Sequence, residues 1–174
     1  MPKVYLEVGK EVDRLVGETA DRWHPGLKEN GVTICVLFVE LHDGEGACLE
    51  TPCLNHHGYP AAAIMKINGY KDRVEGKADA TLVIDKFVWE DMNERQQVSL
   101  LDHELHHLLV KVDKAGSVKH DDLGRPILKL RKHEFELGGF YSIAARHKRD
   151  AVEYLAVTNV AENFSKMDLP LSAV

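Results

Sequence analysis

A chain of 174 residues is long enough to bury one core without disulfides. Its 44% hydrophobic and 29% charged residues are those of a soluble globular protein, with no apolar run that could cross a bilayer. A formal charge of −6 argues against a phosphate-tracking surface, and so against nucleic acid as a partner, despite a local cluster of Lys and Arg between Lys129 and Arg149.

In chain order, the opening Met1-Pro2-Lys3-Val4-Tyr5 is soon interrupted by Glu7, Lys10 and Glu11, too early for a secretory leader, which places the protein in the cytoplasm. Val8, Val12, Leu15, Val16 and Ala20 recur at steps of three and four and predict an amphipathic helix over 7–23, ended by His24-Pro25-Gly26. The β-branched and aromatic run at 32–41 predicts a central strand, and the Gly- and Pro-rich stretch at 42–60 an irregular loop. Two more strands are expected at 62–67 and 81–88. Asp91 followed by Glu94 has the form of a capping box and opens a helix over about 92–110. A polar turn at 113–124, a short strand at 127–130 and helices over 134–147 and 149–164 complete the pattern. There is no repeat and no composition break, so residues 1–174 read as one α+β domain. In it a small mixed sheet of three to four strands packs on the N-terminal helix and on the helix at 92–110, with further helices at the C-terminus.

The chemistry is concentrated in His103-Glu104-Leu105-His106-His107. One helical turn separates His103 from His107, so both imidazoles can reach a single zinc ion, while Glu104 stands beside the first ligand as a general base for the attacking water. Val98, Leu101, Leu105, Leu108 and Val112 form an apolar stripe on nearly the opposite face, which predicts a helix packed on its leucines with the two histidines turned to a cleft. By the same wheel His106 points elsewhere and is read as a surface or supporting residue, and Asp102 as a helix-surface charge or local hydrogen-bond partner.

A catalytic zinc keeps three protein ligands, and His120, His133, Glu134, Glu136 and His147 are the downstream candidates. His133 is preferred because it falls where the strand at 127–130 meets the next helix, with Glu136 on the same helical face. Arg146, His147 and Tyr141 are equal candidates for stabilising an oxyanion. Cys48, Cys53, His56 and His57 approach a structural-zinc pattern without its usual spacing and are read as free loop residues, and Cys35, Cys48 and Cys53 make no disulfide framework. The strands at 62–67 and 81–88 include a possible edge for pairing with an extended peptide.

Leu101-Asp102-His103-Glu104-Leu105-His106-His107, then Asp122-Leu123-Gly124-Arg125-Pro126, then His133-Glu134-Phe135-Glu136 together resemble the phage metallopeptidase family, over roughly 81–147. The resemblance implies a zincin-like fold and a metal site that includes His133. It departs from the pattern at Leu137-Gly138-Gly139, where a more continuous helix is expected. The resulting expectation is a zinc-dependent metallopeptidase, with one zinc ion held by His103, His107 and His133, Glu104 as base, a peptide or protein substrate, and the cytoplasm of a bacterial host as its location. The alternatives are a non-catalytic zinc-bearing phage protein that binds a host protein, and a zinc amidase acting on a non-peptide substrate.

Overall fold

The computed structural model describes residues 1–56, 58–133 and 139–155. Strand β1 (Lys3–Glu7) precedes helix α1 (Lys10–Trp23) and the short helix α2 (Pro25–Glu29). β2 (Ile34–His42) is followed by three two-residue strands, β3 (Cys48–Leu49), β4 (Asn55–His56) and β5 (Tyr59–Pro60), and then by β6 (Ala63–Ile67). Helix α3 (Tyr70–Val74) leads to β7 (Ala80–Asp85), α4 (Lys86–Asp91) and α5 (Glu94–His106). β8 (Leu108–Val110), β9 (Leu128–Leu130) and α6 (Tyr141–His147) come next, then a 3-10 turn at Lys148–Asp150 and a helical stretch at 152–155.

The mixed sheet runs β1-β2-β7-β6, with β3 also paired to β2, so it has five strands. β2 and β7 are parallel, while β1 and β6 are antiparallel to their neighbours and form the edges. The extra strand β1 escapes notice in the sequence because it is short. Only Val4 and Leu6 turn partly inward, between exposed Lys3, Tyr5 and Glu7.

One face of the sheet, through Val36, Leu82, Ile84 and Met65, packs on Val12, Leu15 and Val16 of α1 and Leu101 and Leu105 of α5. The opposite face, Val39 and Val83, is covered by Cys53 and Leu54 from the loop rather than by a helix.

Among the boundaries that differ from expectation, α1 begins at Lys10 rather than at residue 7 because Glu7 belongs to β1, and three others have identifiable causes. The strand expected to reach residue 88 stops at Asp85. That buried carboxylate accepts the Cys53 and Leu54 N–H groups at 2.6 and 2.9 Å and caps α4 through the Val88 N–H. The capping box is Asn93 with Gln96, not Asp91 with Glu94: Asn93 Oδ1 accepts the Gln96 N–H at 3.1 Å and Gln96 Oε1 accepts the Asn93 N–H at 3.0 Å. Finally α5 ends at His106 rather than near 110, because Leu108–Val110 leave the helix to pair with β9. Val112 is therefore exposed and takes no part in a helical stripe.

The chain between β8 and β9 forms a ribbon bridged at Val112–Val118 and His120–Pro126. Its far turn is tied to the sheet by buried charge. Arg73 of α3 pairs with Asp79 at 2.7 Å and Asp121 at 3.0 Å, and Arg125 pairs with Asp79 at 2.9 Å and donates to Thr33 Oγ1 at 3.0 Å. Gly124 has φ of +72°, a conformation that L side chains resist, so Gly124-Arg125-Pro126 is a turn that anchors β9. Of the helix expected at 134–147, residues 134–138 lie outside the described residues and 141–147 are helical; of that expected at 149–164, residues 156–164 lie outside them.

Candidate metal centre

The last turns of α5 carry the site. Ser99, Leu100, Leu101, Asp102, His103, Glu104 and Leu105 are all buried, whereas His106 and His107 are half-buried and His133 is exposed, so the histidine group runs from the interior to the surface. α6 and the segment after it cover the side away from the sheet.

His107 caps the helix with φ −65° and ψ −27°, still helical, which preserves the one-turn relation to His103; their ring centroids are 5.1 Å apart. His133, three residues beyond β9, completes a group in which the ligand atoms of His103, His107 and His133 all lie within 4.8 Å of one another. His103 Nε2 and His133 Nε2 are 3.3 Å apart.

Outer partners fix which nitrogen of each helical imidazole faces that group. His103 Nδ1 lies 2.6 Å from Glu153 Oε1, and His107 Nδ1–H donates to the Arg131 carbonyl at 2.8 Å. Each ring is thereby left with Nε2 for a ligand. The Arg131 N–H in turn donates to the His107 carbonyl at 2.7 Å, so the Arg131 backbone, directly after β9, holds both the main chain and the ring of His107. Phe140, fully buried, places its ring 4.8–5.1 Å from those of His103, His107 and His133 and forms the apolar wall of the site.

Charge states follow from these surroundings. Burial lowers His107 to about 4, despite its bond to Arg131, and burial together with the His103 charge lowers His133. Both are neutral ligand-ready imidazoles at neutral pH. Burial would lower His103 too, but the Glu153 hydrogen bond and the charges of Glu104, Glu153 and Asp102 outweigh it and raise its pKa. Glu104 is raised by burial, against the opposing pull of His103 and of a hydrogen bond from the Met65 N–H on β6.

Among the described residues His120 and His147 do not join the histidine group, while Glu134 and Glu136 lie outside those residues. His147 Nε2 is 2.7 Å from Asp102 Oδ2, Arg146 Nη1 donates to Asp102 Oδ1 at 3.0 Å, and Tyr141 is exposed. Asp102 is not a surface charge. It is fully buried, and His24 of α1–α2 approaches it at 2.7 Å, so it ties α5 to both the N-terminal helices and α6. Burial would raise its pKa, but bonds from His147 and His24 and the Arg146 charge hold it below the usual carboxylate range. Asp102→Ala leaves Arg146 and two imidazoles without their acceptor and is expected to cost about 3 kcal/mol, the lower end for breaking a buried ion pair. In a chain of this size, that is a fall of roughly 6–12 °C in a thermal melt.

His106 is a supporting residue: its Nε2 accepts from Arg131 Nη1 at 2.9 Å and lies 3.2 Å from Ser142 Oγ, and burial lowers its pKa to about 4. Sequence reasoning missed Glu153, Phe140 and the Arg131 carbonyl. The first two lie on segments with no motif of their own, and the third is a backbone atom that no residue identity announces.

A protein-family model matches residues 7–164 of the chain, and its description is "Putative phage metallopeptidase". The chain belongs to that family. Comparison with curated proteins and with solved structures gave no match. The family name suggests a hydrolase that uses a metal and acts on peptide or protein. Among the described residues no helix is long and apolar enough to cross a membrane.

Proposed function

We propose that the chain is a zinc-dependent peptidase of zincin type, with His103, His107 and His133 as the metal ligands and Glu104 as the general base. The observation that carries this reading is the 3.3 Å separation of His103 Nε2 and His133 Nε2. Tetrahedral zinc with Zn–N bonds of about 2.0–2.1 Å spaces its ligand nitrogens about 3.3 Å apart. The donor set fits the ion in chemistry as well: His103 and His107 have Nδ1 engaged elsewhere, and burial keeps His107 and His133 free of positive charge at neutral pH.

When bound, zinc acts as a Lewis acid towards water and the scissile carbonyl. The chain supplies the rest. Glu104 takes the proton of the attacking water on its carboxylate and returns it to the leaving amine, a task suited to a carboxyl whose pKa burial has raised. Glu153 and the Arg131 carbonyl hold the rings of His103 and His107 in orientation. β6 is an edge strand, and the Met65 N–H hydrogen bond joins that edge to Glu104, so an extended peptide pairing with β6 would run past the base.

Two measurements test the reading. The purified chain should carry at least one zinc per molecule by elemental analysis, and should cleave unfolded protein or a bacterial lysate component in a way that a chelator abolishes. Stoichiometric zinc with no cleavage of any substrate would instead favour a zinc-bearing binding protein. Glu153→Gln, which keeps the shape but weakens the hold on His103, is expected to lower zinc affinity about 10–100-fold, as loss of an outer partner commonly does. Competition with a chromophoric chelator reads this directly, and unchanged affinity would remove Glu153 from the site.

A further inference from the structure

We propose that Glu40, His42 and Cys48 form a second metal site, sharing no residue with the histidine group, that takes one zinc-like cation. The alternation of β2 puts Glu40 and His42 on one face of the sheet, and the antiparallel register pairs His42 with Cys48, which brings the thiol to that same face. The three ligand atoms lie within 4.8 Å of one another. His42 Nε2 and Glu40 Oε1 are 2.6 Å apart, so a proton now lies between the two atoms that a cation would bridge.

The carboxylate is already oriented. Lys86, at the start of α4, donates to Glu40 Oε2 at 2.7 Å and leaves Oε1 for the site, as outer partners of ligating carboxylates do. The hydrogen bonds from Lys86 and His42 also lower the Glu40 carboxyl to about 2, so it is an anion at neutral pH. Glu40 is buried and His42 half-buried, whereas Cys48 is exposed, which gives an ion an entry path and leaves its fourth position to water. A bound cation would take Cys48 as the thiolate and displace its proton.

One sulfur, one nitrogen and one oxygen donor select zinc or a zinc-like ion over magnesium or calcium. The site also has a structural use. β3 is joined to β2 by two residue pairs only, Leu41–Leu49 and His42–Cys48, and a ladder that short is marginal by itself. An ion bridging Glu40 and His42 to Cys48 would pin the hairpin. The metal alternative to free loop residues in the sequence was Cys48 with Cys53, His56 and His57, the last of which lies outside the described residues. Cys53 is instead buried under the sheet, 3.8 Å from the Val39 carbonyl, and neither it nor His56 joins Cys48 in a ligand group among the described residues.

Cobalt(II) titration of the full-length apo protein tests the assignment, because three histidines give no thiolate signal. A near-ultraviolet thiolate-to-cobalt charge-transfer band should appear in the wild type, in Cys35→Ser and in Cys53→Ser, and be lost in Cys48→Ser. His42→Ala should weaken the binding that produces the band by more than about tenfold. Circular dichroism checks that the Cys48→Ser and His42→Ala proteins are folded. Absence of the band in the folded wild type, or its survival in Cys48→Ser, overturns the proposal, and neither result depends on whether the protein cleaves peptides.

Discussion

Glu104→Gln is expected to lower kcat by about 10²–10⁴-fold, the usual contribution of a general base, while zinc content stays at the wild-type value. In free-energy terms that is about 3–5 kcal/mol of lost transition-state stabilisation. The substitution is nearly isosteric, and its amide can still meet the Met65 N–H through the carbonyl oxygen, so the buried end of α5 keeps its packing against β6. What it loses is the ability to accept and return a proton. The decisive comparison is therefore kcat/KM against metal content in the same preparation. Full activity would remove Glu104 from the chemistry, and loss of zinc together with activity would show that the residue shapes the site instead.

His133→Ala should reduce zinc affinity by more than about 100-fold, a larger loss than an outer partner causes, because one of three ligands disappears. His107→Ala should behave alike and His120→Ala should leave affinity unchanged, since His120 sits in the ribbon opposite Pro126. Elemental analysis after dialysis against a weak chelator separates these outcomes. A wild-type zinc content in the His133→Ala protein would transfer the third position to Glu136, three residues on in the chain. The side chain of His133 is exposed while that of His103 is buried, so the substitution should cost little stability, and loss of metal can be told from loss of fold by circular dichroism.

What made the site readable in advance was its short range. His103, Glu104 and His107 lie within five residues, and the helical repeat alone puts the two imidazoles on one face with the carboxylate next to the first. The Asn30-Gly31 and Asp43-Gly44 punctuation around β2 marks where that strand begins and ends for a similar reason: φ and ψ restrictions act on the residue that carries them. The same local rules went astray where a competing partner, near or distant, intervened. Asp91 and Glu94 satisfy the capping-box spacing, yet Asn93 takes the cap, and the helix is cut short at His106 because β9 offers Leu108–Val110 a ladder.

Sequence by itself determined the helix with its histidine pair, its adjacent carboxylate and the mixed α+β character, since each depends on spacings of a few residues. Only the tertiary structure decided that His133 approaches within 3.3 Å of His103, that Glu153 holds His103 from fifty positions away, and that Asp102 is a buried anchor rather than a surface charge. These contacts depend on how α6 and the β8–β9 ribbon fold back over α5. That arrangement is set by buried ion pairs such as Arg73 with Asp79 and Asp121, between residues with no regular spacing in the chain. Long-range pairing of this kind leaves no periodic trace in a single sequence, because loop closure brings the partners together without restricting the residues between them.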